Sequence, residues 1–370
     1  MFFKNLPSDE VPLNETTKIL KNHNALEFHK TLSEYKPTPL IELPNLSKKL
    51  GVKNIYVKDE SKRFKLNAFK GLGASYAISQ SLIKNPEIKT FCTATDGNHG
   101  RAVAWAAKIN GRKAIIYVPK ETTLKRIQAI EKYGAKVIQI NGHYDQACEE
   151  AKKISFSKKW CLIQDKAWEE YIEIPALILS GYLTLFKEME DSIHDPLKPK
   201  IDIVFLQAGV GSMAAAGIYY YLNRYGKNKP KIVIIQPEEA DGILCSFKEN
   251  KISSSKGSLK TIMAGLNCET PSLGAWDLLK NGTNYVLRIS DDYSKKAMRE
   301  LYYPQGSDNR IISGESGAAG LAGLLAILKE SKIKSIKEDL RINNFTNILF
   351  INSEGDTDEE VFSEIINSNI

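Results

Sequence analysis

Ile203-Val204-Phe205-Leu206-Gln207-Ala208-Gly209-Val210-Gly211-Ser212-Met213-Ala214-Ala215-Ala216-Gly217-Ile218-Tyr219-Tyr220-Tyr221-Leu222 carries no charge. It is long enough to span a bilayer, which takes ~20 apolar residues. Its character changes halfway, however. Ile203 to Leu206 are β-branched and bulky, Gly209 and Gly211 follow, and an Ala-rich stretch begins at Ser212. A strand, a glycine turn and a helix account for it better than a membrane span. The expectation is therefore an α/β protein with no membrane partner.

The same change of character recurs in both directions. Short β-branched runs predict strands at 54–58, 90–95, 113–118, 136–140, 161–164, 201–207, 231–236, 285–289 and 347–351. Apolar residues at helical spacing predict helices at 69–84, 100–109, 124–133, 145–157, 172–190, 212–225 and 316–330. Ala114-Ile115-Ile116-Tyr117-Val118 is continuously apolar, as suits a parallel strand covered on both faces. Alternating elements predict an open, mostly parallel α/β architecture. The chain of 370 residues is too long for one ordinary sheet, so two α/β lobes with a cleft between them are expected. Ser253-Ser254-Ser255-Lys256-Gly257 reads as a mobile surface loop, and Asp195 to Lys200 as a connector into the next strand.

Composition excludes several classes. With 42% hydrophobic and 26% charged residues, the chain is neither disordered, collagenous nor a small disulfide-stapled fold. The formal charge of +7 is dispersed in pairs such as Lys48-Lys49 and Lys158-Lys159, without zinc-finger spacing or RNA-binding aromatics. No nucleic-acid partner is expected. The five cysteines are odd in number and form no C-x-x-C, which points to a reducing, cytoplasmic compartment. The first ten residues lack the apolar run of a secretory signal.

Three segments break the rhythm with residues a fold does not need. In Lys58-Asp59-Glu60-Ser61-Lys62-Arg63-Phe64-Lys65-Leu66-Asn67-Ala68-Phe69-Lys70-Gly71-Leu72-Gly73, Asn67 is expected as a helix N-cap. That places Lys70 in the first turn, against the helix dipole. Small and apolar neighbours predict a desolvated amine of lowered pKa, fit for nucleophilic chemistry. One surface lysine on an amphipathic helix is the plainer alternative. Thr93-Ala94-Thr95-Asp96-Gly97-Asn98-His99-Gly100-Arg101 follows a strand and opens a helix, where open α/β sheets bind ligands. Capping by Asp96 or Asn98, with His99 in the core, is its structural alternative. Gln207 to Met213 offers backbone N–H groups and a helix N-terminus to an anion. The third glycine of a dinucleotide loop and the lysine of a Walker loop are both missing. A single phosphate suits it better.

A lysine nucleophile and one phosphate cup on different strand ends describe a pyridoxal-phosphate (PLP) site. The sequence resembles the fold-type-II PLP enzymes, the tryptophan synthase β and threonine dehydratase group. Within that group its motifs come closest to the diaminopropionate ammonia-lyases. The carrying residues are Arg63-Phe64-x-Leu66-Asn67-Ala68-Phe69-Lys70, Ala94-Thr95-Asp96-Gly97-Asn98-His99-Gly100-Arg101, Gln164-Asp165-x-Ala167-Trp168 and Gly209-Val210-Gly211-Ser212-Met213. Ile262-Met263-Ala264-Gly265-Leu266, Gly314-Glu315-Ser316-Gly317 and Glu354-Gly355-Asp356-Thr357-Asp358 continue them in family order. Dehydratases of this fold usually begin the Asp96 loop with Ser. Lys65 and Gly242 depart from the usual pattern, the first at the approach to the site and the second as a surface matter.

The resemblance implies two open, mostly parallel sheet domains with helices on both faces and the active site in the interdomain cleft. The larger, PLP-binding domain would comprise residues 1–90 and 166–370, the smaller one 91–165. Lys70 would hold pyridoxal 5'-phosphate covalently and Asn98 would bond its phenolic oxygen. Gly209, Val210, Gly211, Ser212 and Met213 would hold the phosphate, with Asn352 or Ser353 facing the pyridine nitrogen and Glu315 near the ring. The small-molecule substrate would be 2,3-diaminopropionate, D or L, eliminated to pyruvate and two ammonia. Lys70 would take the Cα proton on one face and Asp96 on the other, while Asp165 orients the substrate or tunes the site. No metal is expected, and a homodimer is. A threonine or serine dehydratase is the alternative, against which Asp96 and Asp165 argue, because expelling hydroxide has less use for carboxylates. A nicotinamide enzyme lacks its glycine fingerprint here, and a non-catalytic binding protein has no need of Lys70 and the aspartates.

Overall fold

The computed structural model describes residues 1–22, 24–95, 97–142, 144–193 and 200–368. Among them the strands are β1 Phe2–Lys4, β2 Leu40–Glu42, β3 Asn54–Asp59, β4 Thr90–Ala94, β5 Lys113–Pro119 and β6 Lys136–Ile140, followed by β7 Cys161–Leu162, β8 Ile203–Gln207, β9 Lys231–Pro237, β10 Tyr285–Ile289 and β11 Asn347–Asn352. They form a seven-stranded sheet, β1-β10-β9-β8-β11-β3-β2, and a four-stranded sheet, β6-β5-β4-β7. Every pairing is parallel except β1 with β10 and β2 with β3, the two edges of the larger sheet.

Alternation along the strands sorts the apolar residues onto two faces. Val204, Leu206, Ile232 and Ile234 join one core, and Ile203, Phe205, Val233 and Ile235 the other. Both faces are covered by helices, so β8 and β9 are apolar without a break over 203–206 and 232–235. The first core continues through the helices Lys70–Lys84, Asn98–Ile109, Glu173–Lys187 and Ser212–Tyr225 to Phe91, Ile116 and Val118 of the smaller sheet. One apolar body therefore backs both sheets. Pro175 through Phe186 are all buried because their helix lies inside this body and has no solvent face. Each of its leucine, isoleucine and phenylalanine side chains contributes ~1.5–3 kcal/mol on burial, and together they hold the strand ends that carry the polar loops in register.

All nine expected strands are present within two residues, and all seven expected helices within three. The edges β1 and β2 escape the periodicity because three residues show no period, and only their partners β10 and β3 define them. Three expectations are corrected. The 253–257 loop is anchored: Ser255 N–H donates to Glu269 O (2.8 Å), the Ser255 hydroxyl to Asp241 (2.9 Å), and Ser253 N–H to the Ser246 hydroxyl (2.8 Å). Gly242 is buried, and a Cβ there would fall 2.2 Å from Glu269 O. Lys65 points outward to Glu34 at 3.1 Å, and it is not among the residues lining the cleft cavity. Of the connector 195–200, only Lys200 lies among the described residues. Among the described residues no helix is long and apolar enough to cross a membrane; Ser212–Tyr225 has 14 residues.

Candidate active site

The lysine reaches its place through a loop rather than a cap. After β3 the chain passes Phe64, Lys65 and Asn67 with φ of +50°, +56° and +53°. Asn67 is thus left-handed backbone and not the expected N-cap; Phe69 occupies that position and Lys70 is the first helical residue. Backbone bonds pin this bend to the chain leaving β11: Glu60 N–H to Asn352 O (2.9 Å), Phe69 N–H to Ser353 O (3.1 Å) and Gly355 N–H to Asn67 O (2.9 Å). Behind the bend Arg63 donates to Glu60 and Glu188, both at 2.7 Å, and Lys58 to Glu188 at 2.6 Å. All four side chains are buried, so each charge depends on its partners.

Lys70 Nζ donates to Asp165 Oδ2 at 2.6 Å. The sequence predicts a lowered lysine pKa, and the structure reverses it. Burial pulls the amine down most, but the Asp165 carboxylate, with smaller help from Tyr182 and Cys268, outweighs it and holds the amine above the ordinary lysine range. Burial pushes the Asp165 carboxyl up in turn, yet Lys70 keeps it well below the usual carboxylate range. Asp165 lies beyond β7, braced by the Ser212 hydroxyl on its carbonyl at 3.0 Å. His99 is buried, as the plainer reading allowed, and its Nε2–H donates to Ile163 O at 2.7 Å. Among the described residues its Nδ1 has no hydrogen-bond partner, and it faces Asp165 Oδ2 at 4.0 Å. Burial lowers its pKa more than Asp165 raises it, so the ring is neutral.

One cavity gathers Lys70, Asn98, Asp165, Gly209 to Met213, Glu315 and Ser353. Asp96 lies outside the described residues. Asn352 does not line the cavity. Neighbouring strand residues face opposite ways, and the Asn352 amide turns to Asp59 (2.8 Å) and Ile312 O (3.0 Å). Ser353, one residue on, lines the cavity and accepts from Gln207 Nε2 at 3.0 Å. Glu315 is pushed up to about 7, by burial first and then by the neighbouring Glu354.

Glu354 and Arg101, quoted in the motifs but given no role, are functional neighbours that sequence reasoning missed. Glu354 accepts from Asn98 Nδ2 at 2.5 Å and from Ser316 N–H at 3.0 Å. Arg101 donates to Asn98 Oδ1 at 2.8 Å. Their signal was position, since each follows a strand's carboxyl end. Arg126 and Cys268 also line the cavity and had no comparable signal.

A PLP group fits these residues. Gly211 adopts φ +96° before the 14-residue helix from Ser212, and a Cβ on Gly209 would fall 2.8 Å from Cys268 Sγ. The result is a cradle of bare backbone at a helix N-terminus, suited to a phosphate. A lysine, an amide and a hydroxyl line the remainder.

Comparison with known proteins agrees. Residues 31–342 match the family model described as pyridoxal-phosphate dependent enzyme. The diaminopropionate ammonia-lyase of Escherichia coli strain K12 is 40% identical over 359 residues, 92% of this chain and 90% of that one. The crystal structure of the Escherichia coli enzyme with an aminoacrylate-PLP azomethine reaction intermediate matches at TM-score 0.90 and 38% identity, covering 99% of this chain and 96% of that one. The apo form of that enzyme matches at 0.83 and 35% identity, with the same coverage. In motif, architecture and site, the chain belongs to the fold-type-II pyridoxal-phosphate dependent enzymes, in the branch of the diaminopropionate ammonia-lyases.

Proposed function

We propose that the protein eliminates ammonia from 2,3-diaminopropionate, yielding pyruvate and a second ammonia. The observation that carries this reading is the Lys70–Asp165 contact at 2.6 Å, set in the cavity beside the glycine cradle. Lys70 would hold the cofactor, the backbone of Gly209 to Met213 its phosphate, Asn98 its phenolic oxygen and Ser353 its pyridine nitrogen. Bound there, the cofactor supplies an electron sink for charge developing at the substrate Cα.

The chain's own groups divide the remaining work. Lys70, once its amine is neutral, takes the Cα proton on its face of the substrate. Asp165 is held ionised and balances whichever cation stands beside it, the Lys70 ammonium first and the β-ammonium of the substrate next. A dehydratase, whose leaving group is hydroxide, has less use for that anion. Asp96 remains our proposed base for the opposite enantiomer. His99 keeps its ring neutral with Ile163 O fixing the tautomer, so Asp165 retains its full charge for the cation. A homodimer in a reducing cytoplasm belongs to the same reading, and sedimentation of the holoenzyme tests the first part.

The experiment is the absorption spectrum of the purified protein with PLP, before and after D- or L-2,3-diaminopropionate. Pyruvate and ammonia are assayed alongside threonine and serine controls. Two ammonia per pyruvate from diaminopropionate alone is the expected result. Turnover of threonine or serine alone would establish the dehydratase instead.

A further inference from the structure

The hydrogen bonds around Asn98 have only one possible polarity. Arg101 can only donate, so the atom facing its Nη2 at 2.8 Å is the amide oxygen of Asn98. The atom facing Glu354 Oε2 at 2.5 Å is then the amide nitrogen. The second oxygen of Glu354 is taken by the backbone N–H of Ser316 at 3.0 Å. Ser316 is itself held through Gly265 N–H, which donates to its hydroxyl at 3.0 Å. Glu354 is buried and accepts two donors with two oxygens. The second hydrogen on Asn98 Nδ2 has no protein acceptor among the described residues, and Asn98 lines the cavity.

We propose that Glu354 is a positioning residue: with Arg101 it locks the Asn98 amide in the orientation that donates to the phenolic oxygen of the cofactor. This rests on the PLP reading of the cavity given above. A free asparagine amide is a two-fold rotor, and half of its orientations would set an oxygen against an oxygen. The lock removes that alternative from both ends. Glutamine at position 354 breaks it: Asn98 and Ser316 donate to different oxygens of Glu354, so one of them would face the donor NH2 of the glutamine amide.

The test is a double-mutant cycle on the holoenzyme with Glu354→Gln, Asn98→Ala and the double variant. The readouts are PLP dissociation constant, the visible absorption band of the resting enzyme and melting temperature. Glu354→Gln is expected to weaken PLP binding by ~10-fold, the worth of one charge-assisted hydrogen bond, and to shift the band. In the Asn98→Ala background it should do neither, since the group it acts through is gone. An undiminished effect in that background, or a single variant indistinguishable from wild type, overturns the proposal. Should Glu354→Gln fail to fold, Arg101→Met enters the same cycle with the same expectation. Wild-type protein that takes up no PLP overturns the underlying reading, and the proposal with it.

Discussion

Replacing Asp165 with asparagine should turn Lys70 from a strong cation into a readily neutral amine. At 2.6 Å a pair of unit charges attracts by ~6 kcal/mol at an effective dielectric of ~20. At ~1.4 kcal/mol per unit this corresponds to ~4–5 pKa units. Burial opposes it on the lysine side, and with Asp165 present the attraction wins. Asparagine is close to the same shape and supplies no charge, so burial, the largest influence on the amine, is opposed only by Tyr182 and Cys268. The amine then titrates below its ordinary ~10.4. Even half of the lost attraction moves the titration by ~2 units, a ~100-fold larger neutral fraction near neutral pH. The assay is the rate of PLP capture by the apoprotein, followed by absorbance across the pH range. The midpoint of the rate profile reports the titration of the amine, independently of how tightly the variant finally holds the cofactor. A midpoint for Asp165→Asn at or above that of wild type would refute the account of Lys70.

Three further outcomes follow from the geometry. Gly209→Ala should lose PLP affinity by ~10-fold or more, since its Cβ falls 2.8 Å from Cys268 Sγ and overpacking costs ~1–3 kcal/mol; equilibrium dialysis of the variant checks it. Glu315 keeps its proton up to about 7 when folded but ionises near ~4.3 when unfolded. Apoprotein stability should therefore fall as pH rises between those values, by ~3–4 kcal/mol at most, and level off above. Urea titrations of wild type and Glu315→Gln at both ends of that window should diverge, and parallel curves would sink the argument. Arg63→Met leaves Lys58, among the described residues, as the remaining cation for two buried carboxylates, Glu60 and Glu188, and removing one partner of a buried ion-pair cluster costs ~3–5 kcal/mol; a denaturation midpoint unchanged from wild type would show the Arg63 pairs to be worth nothing.

Much of the architecture was legible in local pattern. Period-2 and period-3.6 apolar spacing are properties of neighbouring residues, so β3 to β11 and the site-bearing helices were readable. The strand–glycine–helix stretch from Ile203 excluded a membrane span for the same reason, and Lys70, Asn98 and Gly209 to Met213 stood out at strand ends. What pattern could not carry was charge state and facing. The sequence neighbours of Lys70 predict a lowered pKa, and Asp165, 95 positions away, raises it. Ser353 and Asn352 are adjacent polar residues, and the pleat of β11 decides which one meets the cavity. Asn98 gets its orientation from Arg101 one helical turn on and from Glu354, 256 positions away. Coulomb energy and desolvation depend on distance through space. Sequence alone therefore named part of this site, Lys70, Asn98, Asp165 and Gly209 to Met213 among it, and only the fold brought in Glu354, Arg101, Arg126 and Cys268 and decided which groups are charged, which face inward and which hold the others still.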